Sequence, residues 1–278
     1  MKHSTGNSTG FSTARVFAIA NQKGGVGKTT TAISLGAALA VLEKKVLLVD
    51  FDPQGNTTGG LGVDKSTLRG TVYGWLQGEP FEQVARSTDL AHLTLLPSTR
   101  DLIGAELELV AEERREFRLA ERLLEVKGRF EYVLIDCPPA LGLLTLNALT
   151  AADGVLVPLQ CEYFALEGVS ELVSTIDRVK ETLNPKLELA GVLPTMWDER
   201  TNLSRQVLED IRAYFGEQVF DAVIPRNVRL GEAPSFGKPI FLYDIKSKGA
   251  EAYLATARQL LQREAARLGP VAVGEGAP

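Results

Sequence analysis

The sequence predicts an α/β fold: a doubly wound, mostly parallel sheet with helices on both faces. Three observations lead there. Short β-branched or apolar runs alternate with longer stretches of helical periodicity along most of the 278 residues. Several of the short runs are apolar at every position, as strands covered on both faces must be. A glycine-rich stretch, NQKGGVGKTTTA at 21–32, separates the first strand candidate from the first helix candidate.

In chain order, RVFAIA (15–20) predicts the first strand and residues 28–42 the first helix. The remaining strand candidates are KVLLVD (45–50), LTLLP (93–97), EYVLID (131–136), GVLVPL (154–159), LELAGVL (187–193) and VFDAVI (219–224). Helical patterns fall between and after them at 101–126, 141–152, 165–183, 201–215 and 249–268. No repeat and no Pro- or Gly-rich linker interrupts 15–268, which predicts one domain. Residues 1–14 read as a flexible Ser/Thr/Gly-rich leader, and 269–278, opened by Gly269-Pro270, as a frayed tail. In such a sheet, ligands belong at the carboxyl ends of the strands.

Composition narrows the class. With 45% hydrophobic and 23% charged residues, the chain has the balance of a globular protein with a sizeable core. No apolar run reaches the roughly 18 residues that span a bilayer, and the N-terminus lacks the apolar segment of a secretory signal. Cys137 and Cys161 lie in apolar strand-like runs, which predicts buried thiols and a reducing cytoplasm. The net charge of −5 excludes a chain coated with positive charge, but its distribution is uneven. Residues 200–270 carry eleven Lys/Arg against eight Asp/Glu, the remainder nineteen against twenty-seven.

The turn at 21–32 fits the phosphate-loop pattern G-x-x-x-x-G-K-[ST] only in its second half. Gly27, Lys28 and Thr29 match, but Gln22 stands where the first glycine belongs, with a second lysine, Lys23, beside it. Glycines 24, 25 and 27 let the amides of the loop, Val26 included, turn inward on a phosphate, and a helix starting near Lys28 adds positive potential. Lys28 is expected on the β- and γ-phosphates and the Thr29 hydroxyl on Mg2+, with Thr30 at the same helix N-terminus. Three carboxylates stand near strand ends. Four apolar residues lead to Asp136, which suits a metal-holding carboxylate. Asp50 ends a strand and Asp52 lies just beyond it, so alternation puts both on one side. Asp52, further out, suits orienting the attacking water, and Asp50 suits supporting the metal's water shell. Each alone would read as a turn cap; together they predict ATP and Mg2+ as cofactors.

Jointly these stretches resemble the ParA/MinD group of deviant-Walker P-loop ATPases. KGGVGKT at 23–29 matches its K-G-G-x-x-K-[ST] loop, and DFDPQGN at 50–56 its D-x-D-P-Q segment. PRNVRLGEAPSFGKPI at 225–240 resembles the chromosome-partition, or Soj, branch, and the likeness spans about residues 15–265. The resemblance implies that Lys23 crosses a dimer interface to the other subunit's nucleotide. An ATP-sandwich homodimer follows, with Gly24 small where two backbones approach. On the residues alone, Lys23 reads as a solvated side chain. The resemblance also places the adenine beside Pro194, Met196, Pro225 and Asn227, although Met196 reads equally as core filling.

Partition relatives bind double-stranded DNA non-specifically as ATP dimers, and ParB-type centromere-binding proteins stimulate their slow hydrolysis of ATP. The resemblance therefore implies a cytoplasmic, nucleoid-associated ATPase. Non-specific binding needs phosphate contacts rather than base readers. Arg226 leads by its place in the motif, with Arg229, Lys238, Lys246 and Lys248 following in the same basic stretch; a structural salt bridge is the other reading of Arg226. With about fifteen residues before the first strand, the helix-turn-helix region of operator-binding plasmid relatives is not expected. The alternative is a MinD-like membrane-cycling ATPase of division-site placement, which needs a C-terminal helix with basic and bulky apolar faces. EAYLATARQLLQREAARL at 251–268 mixes alanines with both charge signs, so core packing and no membrane partner are expected. A reductase of the nitrogenase iron-protein type needs cluster-ligating cysteines. Cys137, inside a strand end, is badly placed for that.

Overall fold

The computed structural model describes residues 14–163 and 165–268; the expected tail, and all of the expected leader except Ala14, lie outside them. Strands β1 (Arg15–Ile19), β2 (Val46–Asp50), β3 (Arg86–Ser87), β4 (Leu93–Leu96), β5 (Tyr132–Asp136), β6 (Gly154–Gln160) and β7 (Glu188–Thr195) form one sheet in the order β3-β4-β2-β5-β1-β6-β7. Every pairing is parallel except β3 with β4. Consecutive parallel strands need crossovers, and helices supply them on both faces. The carboxyl ends of β1, β2 and β5 thus come together, with Asp50 directly opposite Asp136 in the β2–β5 register.

One face is covered by helix α1 (Lys28–Val41) and the C-terminal helix Lys248–Leu268. From Thr31 to Ala40 every residue of α1 is buried. Its small side chains, Ala32, Gly36, Ala37, Ala38 and Ala40, let it lie close to the sheet. The C-terminal helix adds Tyr253, Ala257 and Leu260 to the same core. Each fully buried large apolar side chain contributes about 1.5–3 kcal/mol. The opposite face is closed by Trp75, Phe51, Leu102, Leu119, Leu144 and Leu172, among others.

Six of the seven strand candidates form strands. The exception, 219–224, makes only an isolated bridge from Val219 to Val192, with a second from Pro225 to Trp197. Between these bridges the Phe220 and Ile224 amides still donate to the Val192 and Pro194 carbonyls of β7, both at 2.9 Å, while the Asp221 amide donates to the Gln259 side chain at 2.9 Å. The antiparallel edge β3 has no counterpart among the candidates. The pattern at 101–126 is broken into helices Leu102–Leu109 and Arg118–Leu124 with a 3-10 turn, Arg115–Phe117, between them. Arg114 adopts a left-handed φ of 56°, and Asn147 breaks the ladder by bonding both the Leu119 amide and the Arg115 carbonyl. No described helix is long and apolar enough to cross a membrane.

Candidate functional site: a phosphate loop with three carboxylates

The loop after β1 is shaped by contacts from outside it. Buried Asn21 donates to the Pro158 carbonyl of β6 at 2.8 Å, and its Oδ1 accepts from the Lys23 amide at 2.9 Å. At the other end, the Thr195 hydroxyl donates to the Val26 carbonyl at 2.9 Å. Gly25 (φ 76°) and Gly27 (φ 93°) occupy the left-handed region, which a side chain would strain. Gly24 does not; a Cβ there would meet nothing within 4 Å, so this chain's own fold gives no reason for a glycine.

The two loop lysines are placed differently. Lys28, the first residue of α1, is buried, and its Nζ donates to the Lys23 carbonyl at 3.2 Å. Burial pulls its pKa down, while Asp136 and Asp52 pull the other way. An ammonium so placed is short of anionic partners, and a phosphate would supply one. Thr29 and Thr30 are half-buried beside it. The Lys23 side chain is 40% exposed, with its Nζ 3.6 Å from Glu162. Arg226 approaches the same Glu162 carboxylate at 4.0 Å.

The three carboxylates separate by environment. Asp50 is wholly buried. Its Oδ2 accepts from both the amide and the hydroxyl of Thr58, at 2.8 and 2.6 Å, and its Oδ1 from the Asp52 amide at 3.4 Å. Burial pushes it up to about 7, with the charge of Asp136 adding and the Thr58 bonds opposing. Asp136 is also wholly buried. The Thr57 hydroxyl donates to its Oδ2 at 2.7 Å, whereas its Oδ1 has no hydrogen-bond partner among the described residues. Burial pushes Asp136 up to about 6. The hydroxyls of Thr57 and Thr29 oppose that rise, Thr29 standing close enough to favour the charge without closing a hydrogen bond. Asp52 is buried less completely, 7% exposed, and caps its own turn by accepting from the Gln54 amide at 2.9 Å.

This donor set fits Mg2+, a hard cation that takes oxygen ligands and keeps several waters. A buried carboxylate oxygen with nothing against it, next to a threonine hydroxyl, is what such a water shell lacks partners for. Asp50 has its oxygens engaged by the turn at 52–58, so its geometry suits shaping that turn more than direct ligation.

A cavity of about 230 Å3 opens on the loop, lined by Gly27, Thr30, Thr195, Met196, Pro225, Asn227 and Tyr253, among others. Three of the four proposed base contacts line it. Pro194 does not: it is buried in β7, where its carbonyl accepts from the Ile224 amide at 2.9 Å. Met196 has a left-handed φ of 52°, an unusual conformation for a residue with a side chain. The cavity's two walls are tied by the Trp197 amide to the Ile224 carbonyl and the Arg226 amide to the Trp197 carbonyl, at 3.1 and 2.9 Å. Behind it, Tyr253 and Thr31 share a buried hydroxyl–hydroxyl bond of 3.0 Å.

The basic residues are less uniform than their clustering in sequence suggests. Arg226 and Lys248 are exposed and border one surface cavity of about 650 Å3 together with Arg200. Arg200 is paired with Asp198, two residues earlier, at 2.6 Å. Arg229 is engaged by Glu232 and Asp244 at 3.0 and 3.5 Å; Lys238 and Lys246 are exposed. The basic stretch abuts the turn that follows Asp52 at one point. Gly62 (φ 79°) and Gly237 (φ 63°) meet backbone to backbone, and a Cβ on either would come within 2.8 Å of the other's main chain.

Comparison with known proteins identifies the family. A family model described as an AAA domain matches residues 14–189. The chain is 57% identical over 251 residues to a chromosome partitioning protein ParA of Myxococcus xanthus, covering 90% of this chain and 89% of that one. It is 53% identical over 247 residues to the sporulation initiation inhibitor protein Soj of Bacillus subtilis, covering 88% and 98%. Among solved structures, a cobyrinic acid a,c-diamide synthase from Mycobacterium smegmatis, with bound ATP analogue and magnesium, superposes with a TM-score of 0.79. Its identity is 45%, and the match covers 90% of this chain and 96% of that one. With its deviant phosphate loop and its acidic strand ends, the chain belongs to the ParA/Soj family of chromosome-partitioning P-loop ATPases.

Proposed function

We propose that this ATPase is an ATP-driven switch of chromosome segregation. It binds ATP with Mg2+, closes as a sandwich homodimer, holds double-stranded DNA non-specifically in that state, and lets go after hydrolysis. Lys28 and the loop amides grip the phosphates, and Met196, Pro225 and Asn227 line the base cavity. Mg2+, when bound, neutralises charge between the phosphates; Thr29 and the open Oδ1 of Asp136 are the groups to hold it. Asp52 orients the attacking water, and Asp50 fixes the turn that carries Asp52. Arg226 and Lys248 lead the contacts to DNA phosphates, with Lys238, Lys246 and Arg229 around them. A ParB-type protein accelerates the slow intrinsic turnover, in the cytoplasm at the nucleoid.

The contrast between the two loop lysines carries this reading. Lys28 is buried in its own loop, whereas Lys23 stands half-exposed at the lip beside Gly24. Phosphoryl transfer gathers charge that a second cation stabilises, and many NTPases take that cation from a partner. A membrane-cycling reading finds less support: the C-terminal helix buries Tyr253, Ala257 and Leu260 against the core with α1.

The test is DNA co-sedimentation with ATP, ADP and no nucleotide at two salt concentrations, beside a liposome control. ATP-dependent, salt-sensitive DNA binding without lipid binding supports the switch. Lipid binding without DNA binding refutes it.

A further inference from the structure

In the sheet, β4 lies beside β2 on the side away from β1. A polar cavity of about 550 Å3, walled by the chain just after β4 and by parts of 54–71, therefore sits across the Asp52 turn from the phosphate loop. No residue of that loop lines it. Two cations, Lys65 and Arg100, face it against one carboxylate, Asp101. Neither cation is paired with a carboxylate among the described residues. The Lys65 ammonium donates to the Gln54 carbonyl at 2.9 Å, and the Arg100 guanidinium has no bond to any described residue. Two hydroxyls are also left over. Thr99 keeps a buried Oγ1 with no hydrogen-bond partner among the described residues, and Thr71 makes no cap bond to its own helix, Val72–Leu76.

We infer that this cavity is a second phosphate site, separate from the phosphate loop, which takes inorganic phosphate or the phosphate end of a small ester. The donor set selects that chemistry. A free guanidinium offers a planar fork of N–H groups that matches an oxyanion, and an ammonium supplies a point charge beside it. A buried hydroxyl without a partner costs free energy until a ligand accepts from it. The volume lies within the range of small-ligand sites and leaves room for the body of an ester next to Leu68. Duplex DNA fits worse. Its phosphates ride on a wide rod and cannot enter a recess whose hydroxyls belong to residues as withdrawn as Thr71, 8% exposed.

Lys65 connects the cavity to the chemistry. The turn it holds through the Gln54 carbonyl is the one that carries Asp52. The Asp52 carboxylate accepts from the Gln54 amide, and its carbonyl accepts from the Gly55 amide, both at 2.9 Å. Gly55, at a left-handed φ of 61°, is pinched between two walls. A Cβ there would meet the Ser98 carbonyl at 2.6 Å and the Lys65 Cδ at 3.0 Å. Lys65 is thus a clasp across the turn. A phosphate in the cavity competes with the neutral Gln54 carbonyl for its ammonium, and the bond between two charged groups is the stronger. The clasp opens, the turn loosens and hydrolysis slows. That last effect rests on the role proposed above for Asp52; the binding itself does not.

The experiment titrates inorganic phosphate, and separately glycerol phosphate, by calorimetry into the full chain with a non-hydrolysable ATP analogue and Mg2+ filling the phosphate loop. Wild type, Arg100→Ala and Arg100→Lys are compared, and hydrolysis is followed as ADP formation with and without added phosphate. Wild type should bind at least one of the two probes, with Arg100→Ala weakening it about tenfold or more and Arg100→Lys recovering part of the loss. Phosphate should slow wild-type hydrolysis about two- to threefold and leave Arg100→Ala unaffected, while the two proteins hydrolyse ATP equally in its absence. Binding of phosphate alone makes the released product the ligand; tighter binding of the ester makes it a small metabolite. No binding of either probe overturns the proposal. So does inhibition that persists in Arg100→Ala, which would place the phosphate in the ATP site, and so does Arg100→Ala weakening DNA co-sedimentation but neither probe. Failure of the role given to Asp52 shows separately, as unimpaired hydrolysis in Asp52→Ala with the phosphate titration unchanged.

Discussion

Asp50 and Asp136 stand directly opposite each other at the carboxyl ends of adjacent parallel strands, and both are completely buried. Two carboxyls so placed cannot both ionise cheaply, and burial holds them at about 7 and about 6. Their ordinary value is about 3.9. Between that value and the raised ones, the folded protein carries more protons than the unfolded chain. These two groups therefore add stability as pH falls through this window and withdraw it as pH rises. Where Asp136 is protonated, Mg2+ binding there must expel the proton, so Mg2+ affinity should weaken as pH is lowered below about 6. Thermal melts of the nucleotide-free protein and Mg2+ titrations across pH check both signs. Affinity independent of pH would remove Asp136 from the metal site.

Asp52→Ala should bind ATP normally but accumulate the ATP dimer, with hydrolysis reduced on the order of 100-fold or more. Single-turnover assays and size-exclusion chromatography with ATP measure the two halves. Unimpaired hydrolysis would take the water-orienting role away from Asp52.

Lys23→Gln separates the loop's lysines. Because Lys23 is at the lip and Lys28 within, the substitution should leave monomer ATP affinity within about twofold. Hydrolysis should fall by roughly the 1,000-fold that a cation supplied in trans is worth. Mixed dimers with a second hydrolysis-dead subunit would show the defect on the partner's nucleotide. Equal losses in affinity and rate would argue against a role across the interface.

For Arg226→Glu, DNA binding should be lost at moderate salt while ATP-dependent dimerisation persists. Arg226→Ala should lower the slope of log K against log salt by about two, one phosphate contact per subunit. An unchanged slope would move the DNA surface elsewhere.

Tyr253→Phe tests the bond behind the base cavity. It leaves the Thr31 hydroxyl buried with its partner gone, a cost of about 1–3 kcal/mol. Melting should drop by roughly 2–4 °C per kcal/mol.

The parts of the fold and site legible in the sequence are those encoded within one segment. Strand β1, the loop at 21–32 and α1 form a continuous local pattern, and Asp50 and Asp136 close apolar runs that could hardly be anything but buried strands. What escaped depends on residues far apart. Thr57 meets Asp136 across 79 positions, Thr195 meets Val26 across 169 and Tyr253 meets Thr31 across 222. None of those threonines or tyrosines carries a local signature. The seventh strand candidate keeps backbone bonds to β7 at Phe220 and Ile224, but Asp221 between them bonds Gln259 in the last helix, 38 positions away. Pro194 was read as a base contact from its neighbours' motif; its place in β7 turns it away from the cavity that Met196 and Thr195 line.

The meeting of Gly62 and Gly237 gives the molecule a joint without a cushion. Side chains absorb small displacements by changing rotamer; bare main chain in contact with main chain has no such compliance. The turn that positions Asp52 and the strip that bears Arg229 and Lys238 therefore behave as two stones set edge to edge. A displacement of either is therefore passed directly to the other.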